Sequence, residues 1–160
     1  MDSIKNKFIL NIILIFSVFA LIAAYFIQYI LGHEPCNLCL IERIPYFAAI
    51  IFISLIFIFS KFEKFFSLII GLFFIFGSIV SFYHFGIERG FFSESFVCGL
   101  SDNNTTISTQ DLLKQLEKNT ISCKDVTFKI LGISLATFNT IFSFILSAIM
   151  IKIFKNYGKN

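Results

Sequence analysis

The sequence predicts an all-α membrane protein: a four-helix transmembrane bundle, both termini cytoplasmic, with a long second outer loop that carries a short amphipathic helix. Three observations predict it. Of 160 residues, 57% are hydrophobic and only 14% charged, against about 25% charged in soluble domains. Four charge-free runs, Phe8 to Gly32, Ile44 to Ser60, Phe65 to Tyr83 and Ile130 to Ile151, approach or exceed the roughly 18 to 20 residues that cross a hydrocarbon core as a helix. Lysines gather at one set of ends: Lys5 and Lys7 before the first run, Lys61 and Lys64 between the second and third, and Lys152, Lys155 and Lys159 after the fourth. The positive-inside rule turns those ends toward the cytoplasm.

The elements follow in order, as one domain over residues 1–160. The first helix is expected over about 8–31. Lys5 and Lys7, with Ala20, Ala23 and Ala24, also suit a cleaved signal peptide, but an h-region runs to about 7 to 15 residues and here apolar sequence continues through Ile30 and Leu31. An outward loop over 32–40 leads to a second helix over about 41–60, the shortest, whose Arg43 and Lys61 can snorkel to the headgroups. The third helix is expected over 65–87 and the fourth over 128–152. Tyr29, Tyr46 and Tyr83 fall near outer helix ends, where an aromatic belt forms. In the long loop over 88–127, Ser108 and Asp111 form an N-cap pattern. After them Leu112, Leu113 and Leu116 share one helical face, as in a helix resting on the membrane surface or on the bundle.

All four cysteines, Cys36, Cys39, Cys98 and Cys123, lie in the two outward connections. An outward face in bacteria is oxidising, so thiols there pair. Four cysteines allow three connectivities; spacing favours Cys36 with Cys39 and Cys98 with Cys123. A crosslink across the long loop limits its disorder, whereas one spanning two residues constrains almost nothing. The net charge of +3, with no basic block, points to no nucleic acid. No metal is expected, because zinc ribbons use two C-x-x-C knuckles and Cys98 and Cys123 are 25 positions apart. Leu40 stands where a c-type haem site needs histidine.

Redox chemistry fits better. A second helix beginning near Cys39 puts exposed N–H groups and a dipole beside that thiol. Arg43, at i+4, adds a positive charge on the same face, so the expected thiolate is Cys39.

The stretch "PCNLCLIER" resembles the P-C-x-x-C-x-x-E-R that follows the first helix in the DsbB family, the disulfide bond formation protein B type of thiol:quinone oxidoreductase. "YHFGIERGFFSESFVC" resembles that family's third-helix exit and first loop cysteine, and "SCKDVTFKILGIS" its second loop cysteine and last helix. The resemblance implies a bacterial inner-membrane enzyme with its active cysteines facing the periplasm. Its partner would be a periplasmic DsbA-like thioredoxin-fold protein and its cofactor a membrane quinone, ubiquinone or menaquinone. It also implies roles. Cys98 forms the mixed disulfide with the partner, Cys123 attacks the Cys36–Cys39 bridge at Cys36, and Cys39 leaves as the thiolate facing the quinone. Arg43 stabilises that thiolate and the reduced quinone oxygen. His84 is a candidate quinone hydrogen-bond donor or proton source, Glu42 orients Arg43 or sits at the interface, and Glu88 pairs with His84. The alternatives are a relative resembling vitamin K epoxide reductase, whose quinone-proximal C-x-x-C lies late in the bundle, and a structural membrane subunit with a disulfide-braced outer loop.

Overall fold

The computed structural model describes residues 2–93, 98, 123, 129–130 and 133–156. Among them α1 spans Asp2–Tyr29, α2 Asn37–Ile41, α3 Ile44–Ile58, α4 Glu63–Glu88 and α5 Leu135–Asn156, with a 3-10 turn at Ser60–Phe62 before α4. Among the described residues, four helical stretches are long and apolar enough to cross a membrane: Asn6–Tyr29, Asn37–Ile58, Ser60–Glu88 and Leu135–Asn156. The second of these is α2 and α3 together. The all-α membrane bundle expected from the charge-free runs is therefore what forms.

Two departures have local causes. The second span starts at Asn37 instead of near residue 41, and it breaks between Ile41 and Ile44. Pro45, the second residue of α3, has no N–H to return to the preceding turn. The chain passes Glu42 and Arg43 with tighter bonds, Arg43 N to Leu40 O and Tyr46 N to Arg43 O, both 3.2 Å. The last helix starts at Leu135, not about 128. Lys129–Ile130 pairs antiparallel with Ile133–Ser134, and Ser134 Oγ then accepts the Thr137 N–H at 3.3 Å, an N-cap that sets the first turn. At the other end of the bundle's third span, Gly90 takes φ +77°. Gly90 N bonds Ile87 O at 3.0 Å and Phe91 N bonds Gly86 O at 2.8 Å, the paired bonds of a Schellman stop. The amphipathic helix expected after Ser108 lies outside the described residues.

The core runs down the bundle axis. Leu10 and Ile13 of α1 meet Ala49, Ile53 and Ile56 of α3, Ile70 and Phe74 of α4, and Met150 and Ile153 of α5. Large apolar side chains such as Phe8, Phe19, Ile22, Phe65, Ile79 and Phe144 point outward. Lipid is as apolar as they are, so exposure there costs little, and helix association rests on close packing over small residues. Gly77 shows how close. A Cβ at that position would meet the Pro45 ring at 2.7 Å, whereas one at Gly71 would meet Met150 Cβ at an ordinary 3.5 Å.

Gly77→Ala is accordingly expected to destabilise the bundle by about 1–3 kcal/mol, the usual cost of overpacking, because the proline ring cannot rotate away. Gly71→Ala is expected to be close to neutral. Thermal unfolding in detergent compares them, and equal melting temperatures for the two variants would reject the contact.

Candidate functional site

The break at Glu42 and Arg43 shapes the site. Cys36 is the N-cap of α2, at φ −70° and ψ 168°, and its sulfur accepts the Cys39 N–H at 3.3 Å. Cys39, one turn on, brings its Sγ to 2.8 Å from Cys36 Sγ, and the two remain an unjoined pair. Because α2 begins at Asn37, its N-terminus acts on Cys36. The sequence expectation placed the thiolate on Cys39; in this arrangement the helix N-terminus and the His84 ring act on Cys36. A hydrogen bond from the Cys39 thiol, joined by the hydrogen bond and charge of His84, outweighs burial and holds the Cys36 thiol below its ordinary range.

α4 delivers His84, 4% exposed. Its Nε2 lies 3.6 Å from Cys36 Sγ and its Nδ1 2.7 Å from Glu42 Oε1. A carboxylate only accepts, so Nδ1 carries the hydrogen and Nε2 is turned to the sulfur. Glu88, a turn further along α4, places Oε1 3.8 Å from the same Nε2. α5 completes the set: Asn139 Nδ2 donates to Glu42 Oε2 at 2.8 Å and to Ser81 Oγ at 2.7 Å, and Tyr46 OH donates to Asn139 Oδ1. Both oxygens of a carboxylate only 7% exposed are thus partnered, as a buried charge requires.

Arg43 faces elsewhere. Its Nη1 donates to Gln28 Oε1 at 2.7 Å and its guanidinium lies 5.0 Å over the Tyr25 ring, a cation–π contact. The expected i, i+4 alignment with Cys39 presumed one continuous helix, and the break removes that premise. Arg43 and Cys39 nevertheless line the same cavity.

That cavity has a volume of about 470 Å³, within the range of small-molecule sites. Phe16, Ala20, Ala23, Ala24 and Ile27 of α1 and Phe138 and Phe142 of α5 make apolar walls, and Cys36, Cys39, Glu42, Arg43, His84 and Glu88 lie at its polar end. The three alanines leave room where larger residues would close the space.

Cys98 and Cys123 form a disulfide with Cα atoms 5.6 Å apart. Both are buried, and with Cys36, Leu38 and Ile87 they form one cluster against which Cys39 packs. All four cysteines of the chain therefore share one packed neighbourhood. The sequence expectation had Glu42 orienting Arg43 or sitting at the interface, whereas its carboxylate is buried against His84 and Asn139. It did not single out Asn139, Gln28 or Ser81. A polar amide in the middle of an apolar span was the signal, since such groups in membranes nearly always have partners.

Comparison with known proteins agrees with this picture. The family model described as disulfide bond formation protein DsbB matches residues 6–153. An uncharacterized protein of Rickettsia prowazekii (strain Madrid E) is 32% identical over 139 residues, covering 84% of this chain and 81% of the relative. No solved structure matches.

Proposed function

The chain belongs to the DsbB family of disulfide bond formation proteins, and from that premise we propose that it re-oxidises a periplasmic DsbA-type dithiol with a membrane quinone as terminal acceptor. Electrons pass from Cys98/Cys123 to Cys36/Cys39. The observation that carries this reading is the buried cluster of Cys36, Cys98 and Cys123 with Cys39 packed against it, Cys36 and Cys39 lining a cavity of about 470 Å³ with apolar walls and a polar end. A flat ring with an apolar tail fits such a space. Arg43, His84 and Cys39 are the groups that would hold its ring. The quinone, ubiquinone or menaquinone, supplies a two-electron, two-proton acceptor.

The chain's own residues do the rest. Cys98 takes the partner's thiolate attack, forming a mixed disulfide and releasing Cys123. The Cys123 thiolate attacks the Cys36 sulfur of a Cys36–Cys39 bridge, that bond breaks, and Cys39 leaves as a thiolate; the partner's second thiol then releases Cys98, whose thiolate attacks Cys123, re-forming the Cys98–Cys123 bond and freeing Cys36. With the loop pair rejoined and the C-x-x-C pair open, the two electrons reside on Cys36 and Cys39, available to a bound quinone. His84 holds or takes the Cys36 proton at Nε2. Arg43, fixed by Gln28 and Tyr25, offers positive charge at the cavity's polar end. The lysines at the opposite helix ends orient the cysteines to the periplasmic face of a bacterial inner membrane.

Purified protein with added quinone is expected to oxidise a reduced DsbA-type partner. Arg43→Ala should raise the apparent KM for quinone by about tenfold and Arg43→Lys by less, since lysine keeps the charge but loses the planar fork. Equal quinone KM in the three proteins would remove Arg43 from the site, and no quinone-dependent oxidation of any thioredoxin-fold dithiol would remove the reading itself.

A further inference from the structure

We propose that the reduced Cys36/Cys39 pair and His84 together form a binding site for a thiophilic divalent cation of the zinc class. The two sulfurs and one imidazole nitrogen all lie within 4.8 Å of one another. Zinc holds thiolate sulfur at about 2.3 Å and imidazole nitrogen at about 2.0 Å, which on a tetrahedron sets those ligand atoms about 3.5 Å apart. Cys36 Sγ and His84 Nε2 stand at 3.6 Å. Two sulfurs on the same ion would stand about 3.8 Å apart, against 2.8 Å here. Cys39 therefore has to swing out by about 1 Å, into the cavity it already lines.

The same arrangement that serves proton transfer at Cys36 also prepares the imidazole as a metal ligand. Histidines that ligate a metal donate their other ring N–H to a carboxylate, which fixes the tautomer and raises the basicity of the ligating nitrogen. His84 Nδ1 meets Glu42 Oε1 at 2.7 Å, Glu42 is itself held by Asn139, and Nε2 is left facing the sulfurs. Glu88 Oε1, 3.8 Å from that nitrogen, supplies a carboxylate for the fourth position. The ion takes the place of the protons on the two thiols, with no change in oxidation state. It binds the reduced pair only, and while bound it keeps both sulfurs from attacking a disulfide. The site is thus an inhibitory one, and its existence does not depend on what oxidises the pair.

The test uses full-length Cys98→Ser/Cys123→Ser protein in detergent, reduced with a phosphine and titrated with cobalt(II) alone. One equivalent is expected to bind, with sulfur-to-cobalt charge-transfer absorption and the intense visible bands of a tetrahedral ion. Zinc should displace it, and oxidation of the pair should abolish it. Glu42→Gln is expected to weaken binding about 10–100-fold, as loss of an orienting carboxylate does, and His84→Phe by more than that. Absence of charge-transfer absorption from the reduced protein overturns the site, as does cobalt affinity unchanged in His84→Phe. Should the phenylalanine variant not fold, His84→Gln at the parent melting temperature takes its place, and unchanged cobalt affinity there overturns the site equally.

Discussion

Replacing Cys36 by serine is expected to lower oxidation of the partner dithiol by at least about 10³-fold, the scale on which an enzyme loses its nucleophile. Cys36 is the sulfur at which three features converge: the N-cap of α2, the His84 Nε2 at 3.6 Å, and the buried cluster that contains the loop disulfide. Serine keeps the cap, because its oxygen still accepts the Cys39 N–H. It cannot form a bridge, so electrons leaving Cys123 have no acceptor. The melting temperature should therefore stay near that of the parent while turnover collapses. Cys39→Ser separates the two sulfurs. With Cys39 absent, the Cys36 thiolate attacks Cys123 of the loop disulfide, a Cys36–Cys123 bond forms, and Cys98 is released as a thiolate. Peptide mapping without reductant should find that bond. Turnover of Cys36→Ser within tenfold of the parent would end the relay scheme.

The sequence carried the bundle because charge and apolar length decide what a bilayer accepts: Lys61 and Lys64 between two apolar runs, and a 25-residue run after Lys7, leave little choice. It carried the four cysteines and His84 as candidates for the same reason, since polar and reactive groups are rare in such a chain. Geometry across the break was not legible. The i, i+4 rule joined Cys39 to Arg43 on a helix that Pro45 divides, and nothing local says that Glu42 turns to α4 while Arg43 turns to α1. That division depends on Gln28 and Tyr25 standing on one side and His84 and Asn139 on the other, contacts separated by 15 to 97 positions. The start of α5 was legible in principle. Ser134 followed three residues later by Thr137 is a cap pattern, outweighed by the apolar run that begins at Ile130.

Glu42→Gln should lower the rate of thiol–disulfide exchange at Cys36 by about 10²-fold, the low end of what a positioned acid–base group contributes. The reason is the tautomer of His84. Glu42 offers two acceptors, one to His84 Nδ1 and one to Asn139 Nδ2. Glutamine offers one acceptor and one donor. If its oxygen keeps Asn139, its NH2 faces Nδ1, which must then accept, and the imidazole hydrogen moves to Nε2. A neutral imidazole in that form cannot take a proton from Cys36, much as replacing the aspartate of a serine-protease triad by asparagine disables its histidine. If the oxygen keeps His84 instead, two NH2 groups oppose each other in a buried setting, at a cost of about 1–3 kcal/mol. Turning Asn139 over does not relieve this, because its other atoms already serve Tyr46 and Ser81. Either outcome weakens the hold on the Cys36 thiolate. Alkylation of Cys36 at neutral pH in reduced Cys98→Ser/Cys123→Ser protein should slow in parallel with turnover, and Glu42→Asp, which keeps both acceptors on a shorter arm, should fall between. A folded Glu42→Gln protein with unchanged alkylation and turnover would leave the carboxylate a structural partner of Asn139 and nothing more.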